Sequence, residues 1–176
     1  ITESHLIYGK VLMTNDDYNK AFTEFKTASG SSNKFGAEAK YNVGYIHYLR
    51  GEYDNCETEV FSLVKNFGSY SYWIGKALIL LADNYVAKED LFQAKVTLQN
   101  VIDNSKAPEL VNTASEKLKI IEEQEAAMRV TEEEPEIDVD LYDEQDMQLF
   151  MEEEEVIDEP LPQPIEVEIN TPEETE

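Results

Sequence analysis

The sequence predicts an all-α protein, a helix-turn-helix solenoid of about three repeats and a closing helix, followed by an acidic segment. Three observations carry this. A pattern of small and apolar residues occurs three times, with spacings of 35 and then 38 residues. Periods of this size belong to stacked repeats. Within each copy, two segments of helical periodicity flank a short polar turn. Charge is divided along the chain: all 14 Lys and Arg lie between Lys10 and Arg129, while residues 131–176 hold 20 of the 38 acids.

The first copy runs from a helix carrying Tyr8-Gly9, through the turn Asn15-Asp16-Asp17, to a second helix opened by Tyr18. Phe22, Phe25 and Ala28 continue its apolar stripe. The second copy places Val43-Gly44 before the turn Arg50-Gly51-Glu52, then Tyr53, Val60, Leu63 and Val64. The third places Leu81-Ala82 before Lys88-Glu89-Asp90, then Leu91, Leu98, Val101 and Ile102. Small residues at Gly9, Gly44 and Ala82 let each first helix approach its partner. Twelve residues on, Ala21, Cys56 or Ala94 faces it from the second helix. A large side chain at either place would hold the helices apart. Acids in the turns are expected to cap the second helices and suit their N-terminal dipoles. Gly51 suits a left-handed position after a helix end.

Pro108 opens one more helix, to about Met128, since proline costs no intrahelical hydrogen bond in the first turn. Leu110, Ala114, Leu118, Ile121 and Met128 form its apolar stripe, and Glu116, Lys119, Glu122 and Glu123 make its other faces polar. That is what the end of a solenoid requires. The expected division is a solenoid over 1–130, with its capping helix at 108–129, and an acidic Pro/Glu-rich tail over 131–176 whose composition is that of disordered segments. The start at Ile1, without Met or cap, reads as the C-terminal piece of a longer chain.

The second copy carries a family resemblance. Ala37-Glu38-Ala39-Lys40-Tyr41-Asn42-Val43-Gly44, continuing through Tyr45-Ile46-His47-Tyr48-Leu49-Arg50-Gly51-Glu52-Tyr53, resembles the tetratricopeptide repeat (TPR) family. The resemblance spans about residues 2–105. Three features depart from the family pattern. Lys40 stands where an aromatic is usual, Cys56 replaces Ala, and no proline closes the first two copies. The resemblance implies a non-enzymatic scaffold that binds protein or peptide partners on the concave face of its first helices. Irregular copies with Phe-bearing second helices are most similar to bacterial envelope members, which implies a periplasmic or outer-membrane-associated place.

On that concave face, Tyr41, Tyr45 and Tyr48 fall at i, i+4 and i+7, with Lys10, Asn42 and Lys76 at comparable first-helix positions. Aromatics flanked by lysine suit a peptide with apolar anchors and some acid. The same spacing also serves plain packing with a wet hydroxyl. Some TPR co-chaperones grip a C-terminal carboxylate with a fixed set of Lys, Arg and Asn. Here only Asn42, and loosely Lys76, fit that set, and Leu6 and Leu80 stand where polar ligands are needed.

The tail offers two candidate docking motifs. Leu141 and Tyr142, with Met147, Phe150 and Met151 at i, i+3 and i+4, could fold as a short amphipathic helix in a partner groove. Ile165, Val167 and Ile169 alternate with polar residues and could add to an exposed sheet edge. Two other roles stay open: a tail that docks on its own groove as a regulatory element, and a segment that only terminates a long solenoid.

Several chemistries are excluded. A net charge of −24 without a basic patch argues against nucleic acid. No apolar run is long enough to span a bilayer. One cysteine, Cys56, forms no internal disulfide. Asp138, Asp140, Asp143 and Asp146 lack the glycine turn and terminal glutamate of a calcium loop. His5 and His47 show no ligand spacing, and no phosphate loop is present. No cofactor or catalytic residue is expected.

Overall fold

The computed structural model describes residues 1–132. Over them the chain forms seven helices: α1 (Thr2–Thr14), α2 (Tyr18–Ala28), α3 (Lys34–Leu49), α4 (Tyr53–Asn66), α5 (Ser71–Ala87), α6 (Leu91–Asn104) and α7 (Pro108–Glu132). Consecutive helices pair antiparallel, as in a TPR solenoid. The first helices α1, α3, α5 and α7 also touch one another in series and make an inner layer. The second helices α2, α4 and α6 form the outer layer, each wedged between its own first helix and the next.

The turns within the copies share one geometry. Their middle residues Asp16, Gly51 and Glu89 are left-handed, with φ of 59°, 71° and 61°. The next residue then donates its N–H to the carbonyl five back: Asp17 to Leu12, Glu52 to His47 and Asp90 to Tyr85, each at 2.9 Å. This closes the carbonyl end of the first helix and starts the second in the same direction each time. Gly51 meets its expected role. Asp17 caps α2 through the Lys20 N–H at 3.2 Å, and Asp90 caps α6 through the Gln93 N–H at 3.0 Å. Glu52 does not cap α4. Its longer side chain meets His47 Nδ1 at 2.5 Å instead.

One contact then recurs at every join between copies. Ala39, Val43 and Ile46 of α3 bury against Ala21, Phe25 and Ala28 of α2. Ala77 and Leu81 of α5 bury against Cys56, Val60 and Leu63 of α4. Ala114 and Ile121 of α7, with the partly buried Leu118, bury against Ala94, Leu98 and Val101 of α6. Thus α7 sits in the register of a fourth first helix. Lys119 takes the place that Gly9, Gly44 and Ala82 hold, and is exposed, so α7 offers no close approach to a further second helix. Asn84 takes the place of Ile46 and Ile121. It is fully buried, and among the described residues neither polar atom of its side chain has a hydrogen-bond partner.

Some expectations need correction. A Cβ on Gly9 would lie 2.6 Å from a ring carbon of the buried Phe25, so it is Phe25 rather than Ala21 that demands a glycine. A Cβ on Gly44 would meet its nearest atoms at 3.7 Å, ordinary contact, so this position tolerates a methyl group. Val64 is exposed because it sits at the edge of the α4 stripe, next to the fully buried Leu63. Helix α7 runs to Glu132, past its expected end, and Met128 is 59% exposed. The cause is length: α7 has 25 residues against 14 in α6. Lys95 near the start of α6 already pairs with Glu125 at 2.6 Å.

Lys40, the departure from the TPR pattern, has a structural use. It forms an ion pair with Glu59 of α4, which also meets Lys26 of α2 at 2.6 Å. Both Lys40 and Glu59 are largely buried, so one carboxylate ties together two copies and three helices. Burial alone would raise the Glu59 carboxyl. The hydrogen bonds from Lys26 and Lys40 outweigh it and hold the group below its usual range. Cys56 lies fully buried at its small-residue position, and burial pushes its thiol up to about 12.

Two expected outcomes follow from the turns and the ion pair. In denaturant titrations, Gly51→Ala should cost about 1 kcal/mol, while Glu89→Gly should stabilise by up to about 1 kcal/mol. Because the Glu59 pKa is depressed on folding, its stabilisation is present above the ordinary carboxylate pKa and is lost as pH falls through the folded value. Glu59→Gln should therefore cost about 2 kcal/mol at pH 7 and less in acid. The gap between wild type and variant should narrow as pH falls below the ordinary carboxylate range.

Candidate protein-interaction surface

The inner layer carries the candidate residues. In α3, Tyr41, Tyr45 and Tyr48 are all partly buried. Tyr41 stacks on Tyr45, with ring centroids 6.3 Å apart and planes 5° from parallel. It also meets Trp73 of α5 at 5.7 Å. Lys76, one turn along α5, holds its ammonium 5.0 Å from the Tyr41 centroid and 5.4 Å from that of Trp73. The two rings give the cation a flat, electron-rich bed. Burial, then Tyr45 and Asp83, push the Tyr41 hydroxyl up to about 12. Burial and Asp83 raise Tyr48 as well. Both stay protonated near neutral pH and can donate a hydrogen bond.

The cations of this face differ in their partners. Lys10 of α1 is ion-paired with Glu38 of α3. Lys117 of α7 is paired with Asp83 of α5 at 2.7 Å. Lys76 has its aromatic bed and, among the described residues, no carboxylate partner. Asn42 turns its side-chain amide back on its own helix and donates to the Glu38 carbonyl at 2.8 Å. Tyr48 points toward the copy's turn and meets Tyr53 at 6.2 Å.

Beyond Lys76, a cleft of about 160 Å³ lies between α5 and α7, with Leu98 of α6 among its lining. Ala82, Val86, Leu98, Ile120 and Ile121 make it apolar, and Asp83, Lys117 and Gln124 line it with polar groups. The structure thus brings Tyr41, Tyr45 and Lys76 together, leaves Lys10 to Glu38, and turns Asn42 inward. Trp73, Asp83 and Lys117 complete the face and were missed in the sequence. Trp73 sits three residues before Lys76, and that spacing was the available signal. Leu6 and Leu80 are buried and offer the face no polar ligands. Leu141, Tyr142, Met147, Phe150, Met151, Ile165, Val167 and Ile169 lie outside the described residues.

No protein-family model matches the chain, and no curated protein matches it. Among solved structures it is similar to the N-terminal domain of stress-induced protein-1 (STI-1) from C. elegans. The TM-score is 0.54 at 18% identity, covering 65% of this chain and 92% of that one. At this identity the likeness establishes the fold: a TPR-like helical repeat domain. No helix among the described residues is long and apolar enough to cross a membrane.

Proposed function

We propose that this repeat domain is a non-enzymatic scaffold whose inner face binds an extended peptide presenting a carboxylate and an apolar side chain. The observation that carries this is Lys76: a cation bedded on Tyr41 and Trp73 with no carboxylate partner among the described residues. Asp83, at the cleft, lies seven residues further along α5, about 10 Å at the helical rise. An extended peptide covers that distance in about three residues. The recognised element is therefore an acid at Lys76 followed three residues later by an apolar side chain in the α5–α7 cleft. Helices already held by packing lose little conformational freedom on binding.

The acidic tail, taken as residues 131–176, supports a second reading in which it competes for the same face. Its stretch 141–151 places Leu149 three residues after Asp146, the spacing the face requires. Envelope placement rests on the irregular copies and their Phe-bearing second helices and forms no part of this proposal.

Trp73 is the chain's single tryptophan, so its fluorescence reports directly on the face. The probe is a synthetic peptide of residues 141–151, added to the chain ending at Glu132 and to the full chain. Saturable change in Trp73 emission is expected with the shorter chain, weakened about tenfold by Lys76→Met and by high salt. Weaker binding by the full chain would favour the competing tail. An unchanged emission, or equal binding by Lys76→Met, would refute the assignment of this face.

A further inference from the structure

Of the twelve lysines among the described residues, eight are ion-paired to a carboxylate. Lys34, Lys65, Lys76 and Lys106 have no carboxylate partner among those residues. All four lie at one end of the solenoid, where successive copies are joined. Lys34 opens α3, Lys65 sits in the last turn of α4, Lys76 is in the second turn of α5, and Lys106 lies between α6 and α7. The acids are sorted the other way. Residues 25–37 and 60–82, which carry the first two of these joins, contain no Asp or Glu. Asp16, Asp17, Glu52, Glu89 and Asp90 stand in the turns at the opposite end. The 16 residues of α3 hold the two ends about 24 Å apart. That is about three screening lengths at physiological salt, so the distant acids do not cancel the lysines.

Of the acids at this end, Glu38 is tied to Lys10, and Glu59 to Lys26 and Lys40. Glu3 sits apart on α1, and Asp103 and Glu109 flank Lys106. The uncompensated charge is therefore at Lys34, Lys65 and Lys76. The first two joins form one surface, because the Tyr70 hydroxyl reaches the Ser32 carbonyl at 3.5 Å and sets the loop after α4 against the loop after α2. Lys34 holds its ammonium 4.8 Å from the Phe35 centroid, much as Lys76 lies over Tyr41 and Trp73. Helices α3 and α5 begin here and add the positive ends of their dipoles. Lys76 stands five residues beyond Ser71, about 8 Å from the start of α5 at the helical rise. An extended peptide covers that distance in about two or three residues.

We infer that this lysine edge recognises an acidic stretch about two or three residues ahead of the acid that meets Lys76. The partner is thus an extended polypeptide segment in which consecutive acids precede one apolar anchor. This rests on the inner-face site proposed for Lys76 and adds Lys34 and Lys65 to it as determinants of which peptides bind tightly.

The probe is the synthetic peptide of residues 141–151, in which Asp143 and Glu144 lie just ahead of Asp146. A control peptide carries Asp143→Asn and Glu144→Gln. Each is titrated into the full chain, with Trp73 emission as the readout. A tail that competes for the face weakens both peptides alike and leaves their ratio unchanged. The control should bind about fivefold more weakly, as exposed ion pairs allow. The ratio should approach one in strong salt. Lys34→Gln combined with Lys65→Gln changes exposed positions, so the fold should be kept. This double variant should abolish the ratio and leave the affinity of the control peptide nearly unchanged, whereas Lys76→Met should weaken both peptides. Equal binding of the two peptides, or a ratio that survives the double variant, would overturn the inference and leave the inner-face site standing. Binding of neither peptide would overturn both. If instead the chain sediments with phosphatidylserine vesicles, the double variant abolishes this, and the two peptides bind equally, the occupant is a lipid surface and the inference is wrong.

Discussion

Every join between copies is made by the stripe of a second helix set into the face of the next first helix. A small residue at one end of the stripe sets how closely the helices approach. The large residue at its centre fills the space this leaves. Phe25, Val60 and Leu98 occupy that centre, and each is essentially buried. Because the same contact recurs, the turn between copies can vary in length without changing the architecture. The period of 35 between the first two copies and 38 between the next two is absorbed chiefly in the second helix: α2 has 11 residues and α4 has 14. Such a chain is held by neighbour contacts, so its stability is a sum over joins rather than the property of one central core.

The polar groups of the interior are placed to serve that packing. Glu59 lies beside Gly44, where helices α3 and α4 come close, and binds Lys40 from one helix and Lys26 from another. A pair of this kind is costly to break, because removing one partner strands the other in a poor solvent. On the inner face the arrangement is looser. Lys10 and Lys117 are matched by Glu38 and Asp83 on adjacent first helices, while Lys76 is matched, among the described residues, by rings. The difference in partners, rather than the number of charges, distinguishes one end of the face from the other.

The repeat was legible because close packing repeats its demands in the sequence. A small residue, a turn and a second small residue twelve positions on locate both helices, and Tyr18, Tyr53 and Leu91 open the second helices as the pattern requires. What escaped the sequence depends on partners distant in the chain. The use of Lys40 needs Glu59, and the bed under Lys76 needs Tyr41 from another helix. Periodicity placed the end of α7 near Met128, and the helix runs on to Glu132; its stripe is buried at Leu110, Ala114 and Ile121, while Met128 is exposed. At Glu52 the charge was read correctly, but one extra methylene took the carboxylate to His47 instead of the helix start.

Asn84 offers the most direct test of the shared register. It lies where Ile46 and Ile121 pack in the neighbouring joins, and its amide is buried without a partner among the described residues. The measurement is the unfolding free energy of Asn84→Leu, which keeps the shape and removes the polar atoms. If this position faces the α4 stripe as its equivalents face α2 and α6, the variant should be more stable by about 1–2 kcal/mol. A variant less stable by a similar amount would mean that the amide has an essential polar role, and that the third copy does not join the second as the others join.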